Sequence, residues 1–226
     1  MTLMQTLEAR DLFDQLGKED EQPERKIEIK PGTRLEVLLI KEFERILDLG
    51  VYYDDGPQQL GYPRFPDNIS ADAIEAFSIG MKAYEGGKNR NFLVSSFLND
   101  MIGMCKQKEI VIHTAHLDRG LDNLCIDLRE KHVTIKGNAG YHLGSDMKSG
   151  RIHIYGNAGN QLGSGMSGGE IIIEGNVGYH ALHGMVGGIV RIQGEIAELE
   201  RLGSCARAGD VYHKGRLIMK DGRRIT

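Results

Sequence analysis

Histidines recur in this sequence at spacings that could bring several of them to one metal ion. His142 and His180 occupy the same position of a repeating unit two repeats apart, and His183 follows three residues later. If each repeat forms one coil, His142 and His180 lie about 9.6 Å apart, whereas zinc binds its ligands at about 2.0 to 2.3 Å. They would share an ion only if Gln161, in the coil between them, supplied a ligand. We therefore expect these histidines to lie on the surface without a metal.

A second candidate site combines His113, His116 and Asp118. Imidazole and carboxylate groups are metal ligands, but an incomplete ligand set is a weak signal, and an ordinary solvated loop explains the same residues. We keep these three residues as the alternative candidate site. It would lie in a groove between the helices and the repeats described below.

Two further patterns resemble catalytic or nucleotide-binding motifs. His213 with Cys205 or Ser204 has the residue types of a base and a nucleophile, but no spacing signature supports the pair. The stretch from Gly163 to Gly168 reads G-x-G-x-x-G, which binds nucleotides only between a strand and a following helix. Here the following residues, 170–174, predict a strand. We therefore expect no catalytic residue, no metal and no cofactor.

Composition and charge exclude several classes of function. The 226 residues hold 28 Lys and Arg against 32 Asp and Glu, a formal net charge of -4, so the positive field of a nucleic-acid-binding protein is missing. The three cysteines are odd in number and widely spaced, which argues against a disulfide framework and favours a reducing cytoplasm. No signal-peptide pattern and no run of 18 apolar residues is present. We expect a cytoplasmic protein with neither nucleic acid nor membrane as a partner.

Glycine is the compositional outlier, and its positions define a repeat. Fifteen of the 30 glycines fall between Gly137 and Gly188, and the stretches 132–150, 151–169 and 170–188 align with a period of 19 residues. The residues that recur in register are Gly137, Gly156, Gly175 and Gly194; Gly140, Gly159 and Gly178; Gly144 and Gly163; Asn138, Asn157 and Asn176. Self-similarity at this period is typical of a solenoid, in which each unit buries its apolar face against its neighbours.

Each repeat begins with a short strand and continues through glycine-rich corners, where glycine permits the positive φ that other residues avoid. The three residues before each corner alternate apolar and variable positions, which is the period of a β-strand. Stacked coils of this kind form a parallel β-helix. The predicted interior columns are Val133, Ile152, Ile171 and Val190; Ile135, Ile154, Ile173 and Ile192; Met147, Met166 and Met185. The asparagines should form an amide ladder in which each side chain hydrogen-bonds its copies above and below.

Helices are expected before the repeat. Residues 33–49 begin with a capping box, Thr33 and Glu36, and end before Gly50. A second helix should begin at Ser70 and end near Gly86, and a third should cover Phe92 to Cys105.

These patterns divide the chain into three parts. We expect a mobile or partner-dependent arm at residues 1–26, a helical region at 27–106 and a parallel β-helix domain at 107–226. The helical region should cover an open end or one flank of the β-helix, because an exposed strand edge invites association. Asp221 and Gly222 should form a tight turn that closes the last strand.

The outward positions of the strands should form a flat face of mixed character. The residues expected there are Thr134, His153, Ile172 and Arg191, beside Lys136, Tyr155, Glu174 and Gln193. Flat faces on solenoids serve as docking surfaces.

The recurring G-x-x-G-x-x-x-G pattern, as in Gly137, Gly140 and Gly144, resembles the GXGXG family. The third copy keeps Gly175 and Gly178 but has Leu182 in place of the last glycine. That family includes the C-terminal domain of the glutamate synthase large subunit and one of the subunits of formylmethanofuran dehydrogenase. The resemblance covers residues 110 to 220, about half the chain. It implies a right-handed β-helix that acts as a structural and assembly element, while the cofactors and the chemistry belong to other domains or subunits.

The expected function is therefore a non-catalytic scaffold or docking subunit of a larger enzyme assembly that resembles glutamate synthase or formylmethanofuran dehydrogenase. Its partners would be the other protein subunits of that assembly, and a homo-oligomer formed through the lateral face is a further option. The alternative is a stand-alone enzyme or ligand-binding protein whose site lies between the helical region and the β-helix.

Overall fold

The computed structural model describes residues 34–48, 65–81 and 90–225. Within these residues three helices come first and eight strands follow, so the predicted order of a helical region and a mainly β region is confirmed. The elements are α1 (Arg34–Asp48), α2 (Ala71–Gly80), α3 (Arg90–Met104), β1 (Glu109–His113), β2 (His132–Lys136), β3 (Arg151–Ile154), β4 (Glu170–Ile173), β5 (Val186–Ile192), β6 (Ala208–His213), β7 (Arg216–Lys220) and β8 (Arg223–Arg224).

Strands β1 to β5 each pair in parallel with the next strand along the chain, as the predicted parallel β-helix requires. One column of paired Cα positions runs through Glu109, His132, Arg151, Glu170, Ile189 and Asp210. The three central steps of this column are 19 residues long, while the first is 23 and the last is 21. The predicted period is therefore confirmed for the central coils, and the terminal coils are longer.

The interior consists of the predicted columns of apolar side chains. The two aliphatic columns behind the sheet are at most 1% exposed, and the three methionines are fully buried. Complete burial of one such side chain contributes about 1.5 to 3 kcal/mol. Because each column continues from coil to coil, an isolated coil would leave these side chains in water, and stability depends on stacking.

Contact with the methionine column explains why glycine occurs at one position of the repeat. Gly169 has a φ of +85°, and a Cβ added there would lie 2.5 Å from the Cε of Met147, one coil earlier. Gly188 has a φ of +95° and the same relation to Met166. A side chain at either glycine would have to displace this methionine methyl group and would strain the backbone.

The glycine that follows each strand has a role that differs from the predicted one. A positive φ is expected at this corner, but among Gly137, Gly156, Gly175 and Gly194 only Gly137 has one, +131°. At Gly156 and Gly175 a Cβ would lie 2.5 Å from the carbonyl oxygen of the equivalent glycine in the preceding coil. These glycines are required because two main chains approach each other closely.

The asparagines stack at the same corner, but their hydrogen bonds are not those of an amide ladder. The Oδ1 of Asn138 accepts from the backbone N–H of Asn157 at 2.8 Å, and the Oδ1 of Asn157 accepts from the backbone N–H of Asn176 at 2.7 Å. The Oδ1 of Asn176 accepts in the same way from Glu195 at 2.7 Å. The prediction of side chains bonded to their copies is therefore corrected: each amide satisfies a main-chain donor of the next coil.

The helices lie close to their predicted positions. The Ser70 side chain accepts from the N–H of Ala73 at 3.2 Å and caps α2 as predicted, while the helix ends at Gly80, before the predicted end. Residues 82–89, the arm at 1–26 and the capping residue Thr33 lie outside the described residues.

Aromatic rings join the three helices and their surroundings. Phe43 of α1 contacts Phe77 of α2 and Phe97 of α3, with ring centroids 5.5 and 5.2 Å apart. The buried apolar residues of the helices and of the β-helix form one continuous cluster.

Helix α3 closes the first end of the β-helix because its side chains make the hydrogen bonds that a neighbouring coil would make. The Nδ2 of Asn91 donates to the carbonyl of Gly120 at 3.1 Å, and its Oδ1 accepts from the N–H of Asp122 at 2.8 Å. A side-chain amide thus provides the donor and the acceptor that a peptide group of a further coil would provide.

Asn99, about two turns later on α3, repeats this arrangement. Its Nδ2 donates to the carbonyl of Asn123 at 2.8 Å, and its Oδ1 accepts from the N–H of Cys125 at 2.7 Å. The buried thiol of Cys125 has a pKa raised to about 12 by burial, so it stays protonated and packs as an apolar group.

The other end of the β-helix is closed by antiparallel strands. The predicted turn at Asp221 and Gly222 is confirmed: it joins β7 to β8, with φ of +48° and +71°. A similar turn at Lys214 and Gly215 joins β6 to β7 and was not predicted. Positive φ at both central residues is typical of tight hairpin turns.

We expect Asn99→Ala to lower the free energy of unfolding by about 1 to 3 kcal/mol, because it leaves a donor and an acceptor of the first coil without partners. The gain in helix propensity, about 0.5 kcal/mol, offsets only part of this loss. Urea unfolding measures the change. Ser96→Ala, on the same helix, serves as the control and should change stability by less than about 0.5 kcal/mol. Equal effects of the two substitutions would contradict the role given to Asn99.

Candidate functional site

The outward side chains of β1 to β6, together with Tyr155 and Glu174 directly after β3 and β4, form one surface, here named the lateral face. The strand register places Thr134, His153, Ile172 and Arg191 directly beside one another, as predicted. A second column, which was not predicted, contains Arg151 and Glu170.

Glu170 is the centre of a charge network on the lateral face. Its Oε2 lies 2.9 Å from the Nε of Arg151 on β3, and its Oε1 lies 2.9 Å from the Nε of Arg191 on β5. The Glu170 side chain is only 20% exposed. This partial burial acts to raise the pKa of Glu170, but the hydrogen bonds and charges of Arg191 and Arg151 outweigh it, and the pKa is lowered. The network therefore ties three consecutive strands together in its charged form.

Aromatic contacts extend this network along the face. The Cζ of Arg191 lies 4.4 Å from the ring centroid of Tyr212 on β6, a cation–π distance. The ring of His153 lies 4.4 Å from that of Tyr155, and its Nε2 lies 2.8 Å from the Oε1 of Glu174. The charged groups of this network thus have partners within the face, while Tyr155 remains 50% exposed.

His113 of the alternative candidate site is held by contacts with helix α2. His113 ends β1, and its Nε2 lies 2.7 Å from the Oε1 of Glu75 on α2. The backbone N–H of His113 donates to the Oγ of Ser78, also on α2, at 2.9 Å. His116 is partly buried in the following loop, and Asp118 is exposed. His113 thus links the helical region to the first strand, and a ligand site at these residues stays a prediction.

The repeated histidines lie at corner positions where the backbone has a positive φ. His142, Gln161 and His180 all have a positive φ, between 55° and 60°, at the same point of successive coils. His180 Nδ1 lies 3.8 Å from Glu198 Oε2. Within the ranges 34–48, 65–81 and 90–225, no group of three His, Cys, Asp or Glu side chains could hold a metal ion.

The structure pairs Ser204 with a different histidine from the one considered in the sequence. Its Oγ lies 3.2 Å from the Nδ1 of His183, while His213 Nε2 contacts the carbonyl oxygen of Gly194 at 2.9 Å. Cys205 is exposed next to Ser204. The glycine motif from Gly163 to Gly168 is followed by strand β4, as predicted, which removes the context that a nucleotide site requires.

A shallow cavity of about 420 Å³ lies on α1, away from all of these residues. Its lining residues are Leu38, Lys41, Glu42, Arg45, Phe65 and Pro66. None of the candidate site residues reaches it.

Sequence reasoning missed Arg151 and Glu170, although their 19-residue spacing with opposite charge was a usable signal. It also missed Asn91 and Asn99, for which the sequence holds no periodic signal. Among the described helices, none has the length and apolar character needed to cross a bilayer.

Comparison of the chain with protein-family models, with curated proteins and with solved structures found no match.

The Glu170 network predicts a pH dependence of stability. The folded-state pKa of Glu170 lies below its ordinary value, so its contribution is present above the unfolded pKa and is lost as the pH falls through the folded pKa. We expect Glu170→Gln to lower the free energy of unfolding by about 1 kcal/mol at neutral pH, and the difference from the wild type to shrink as the pH falls through the folded-state pKa.

Urea unfolding at several pH values measures this difference. Glu200→Gln, at an exposed position of the last coil, is the control and should change little at any pH. A Glu170→Gln effect that is the same at neutral and acidic pH would contradict the role given to the network.

Proposed function

We propose that this chain is a non-catalytic β-helix scaffold, a docking subunit of a larger enzyme assembly, and that its lateral face binds another subunit. One observation carries the proposal: the charged side chains at the centre of this continuous face are paired with one another. Burying such a face leaves few charges without a partner, and interface cores are depleted of unpaired charge and rich in Tyr and Arg. The lateral face presents Arg151, Arg191 and Tyr155 in this setting.

The two ends of the β-helix support the same assignment. Helix α3 occupies the first end through Asn91 and Asn99, and β7 and β8 cover the last end. An end-to-end stack of chains would have to displace one of these caps. Neither cap covers the lateral face, where Arg151, Tyr155 and Ile189 are exposed.

The size of the face sets a limit on the contact. Six strands about 4.8 Å apart, with four or five residues at about 3.3 Å each, give a footprint of about 29 by 15 Å. A stable complex covers about 800 Å² on each partner. The footprint is smaller than this, so a stably bound subunit would also contact neighbouring surfaces.

The class of assembly comes from the GXGXG-like repeats, with Gly137, Gly140 and Gly144 as the first copy. By that resemblance the partners are subunits of a glutamate synthase-like or formylmethanofuran dehydrogenase-like enzyme, and the cofactors and the active site lie in those partners.

The test is affinity capture of the tagged full-length chain from its native extract, with mass spectrometry of the partners and metal analysis of the eluate. The wild type should recover synthase-like or dehydrogenase-like subunits in constant ratio. Tyr155→Lys combined with Ile189→Lys should lower this recovery at least tenfold, because both residues are exposed on the lateral face. Tyr141→Lys combined with Tyr179→Lys is the matched control, since these tyrosines are 46% and 50% exposed outside the face, and recovery should be retained.

Two results would overturn the proposal. One is recovery of the chain alone with a stoichiometric metal or small molecule, which would favour the alternative of a stand-alone enzyme. The other is equal loss of partners in both double variants.

A further inference from the structure

The last 26 residues have a charge opposite to that of the rest of the chain. Residues 201–226 hold seven Lys or Arg and two Asp, whereas the first 200 residues hold 21 Lys or Arg and 30 Asp or Glu. The net charge of the whole chain, -4, does not reveal this asymmetry. It coincides with the closing strands at the last end of the β-helix.

All seven of these cations are exposed, and five of them form what we name the basic cap: Arg207, Arg216, Lys220, Arg223 and Arg224. None of the ion pairs among the described residues involves them. Arg151 and Arg191 of the lateral face, by contrast, share the carboxylate of Glu170. The basic cap is therefore an unneutralised positive surface beside a neutralised one.

Three of the cations, Arg207, Lys220 and Arg223, lie at one turn. Lys220 and Arg223 are direct cross-strand partners in the β7–β8 pair, an arrangement of like charges that destabilises a sheet. Gly222, in the turn between them, approaches so closely that an added Cβ would lie 2.6 Å from the backbone carbon of Arg207. The turn itself carries the exposed Asp221, so the charge of the group stays positive.

The second acid of this segment is already engaged. The Oδ1 of Asp210 accepts from the backbone N–H of Asp221 at 3.0 Å.

Protection of an edge strand by charge explains Arg223 and Arg224 on β8. It does not explain Arg207, which precedes β6, or Arg216, which begins β7.

We propose that the basic cap docks an acidic segment of a partner subunit, a short stretch rich in Glu or Asp. The inference rests on the proposed function, because the basic cap supplies the contact beyond the lateral face that a stable complex requires. Guanidinium groups bind carboxylates through paired hydrogen bonds, and an incoming carboxylate would relieve the repulsion between Lys220 and Arg223.

The surroundings of the cap select an acidic protein segment over a nucleic acid. Glu195, Glu198 and Glu200 lie in the coil just before it, so a long phosphate backbone would run across these carboxylates. Tyr212 is the one aromatic residue of the segment 201–226, and Arg191 lies over its ring, which leaves no free platform for base stacking.

The test uses the full-length chain and a fluorescein-labelled peptide of ten residues, eight of them Glu, with the corresponding Gln peptide as the control ligand. Fluorescence anisotropy should show binding of the Glu peptide only, and the affinity should fall at least tenfold on raising the salt from 50 to 300 mM. Arg207→Glu, Lys220→Glu and Arg223→Glu together should lower the affinity at least tenfold. This variant keeps the edge strand charged, so edge protection is retained.

A variant matched in net charge separates a local site from a general charge effect. Lys106→Glu, Lys108→Glu and Arg119→Glu change three exposed cations away from the cap, and binding should be retained within about threefold. Equal loss in the two triple variants would overturn the proposal, and so would tighter binding of a 20-base-pair DNA duplex than of the peptide.

The outcomes for the cap and for the assembly are distinguishable. If enzyme subunits are captured through the lateral face but the peptide does not bind, the basic-cap proposal alone fails. If the peptide binds with the expected variant pattern but no enzyme subunit is recovered, the proposed function fails and the cap remains an acidic-segment site.

Discussion

The close approach of successive main chains is the constraint on which the rest of this structure depends. At Gly156 and Gly175 the carbonyl of the preceding coil leaves no room for a Cβ, and at Gly169 and Gly188 a methionine methyl fills that space. Because every coil meets the same constraint, the glycines recur with the period of the coils. The aliphatic columns and the asparagine hydrogen bonds follow from the same stacking, since each repeats at the same register.

Stacking of identical coils creates two open ends, and the chain closes them with different chemistry. At the first end, the amides of Asn91 and Asn99 take the hydrogen-bonding positions of a missing coil. At the last end, the chain turns back on itself in antiparallel strands that carry the basic cap. The lateral face lies between these caps, with Glu170 holding two arginines across three strands. A neutralised face beside a charged cap is the arrangement from which the docking role is inferred.

The sequence predicted the columns of the repeat, the helices and the last turn, but it missed most of the individual side-chain contacts. Met147, Met166 and Met185 could be placed in the core because three copies share one register. The backbone bonds of Asn138 and Asn157 could not be distinguished from side-chain ladders, since both place asparagines at one corner. Asn91 and Asn99 act through contacts with residues about 25 to 30 positions away, and no local pattern marks them. Arg191 and Glu170 lie 21 residues apart, so their contact joins positions that are not equivalent in successive repeats. The 19-residue period therefore does not predict it.

The docking role is the central claim, and cross-linking mass spectrometry of the chain in its native extract tests it most directly. An amine-reactive reagent reports on Lys136 at the lateral face, Lys220 in the basic cap, and Lys41 and Lys108 on or beside the helical region. We expect cross-links from Lys136 and Lys220 to other enzyme subunits, with few from Lys41 and Lys108. Cross-links to partners confined to Lys41 and Lys108, or a chain linked to no other protein, would contradict the docking role.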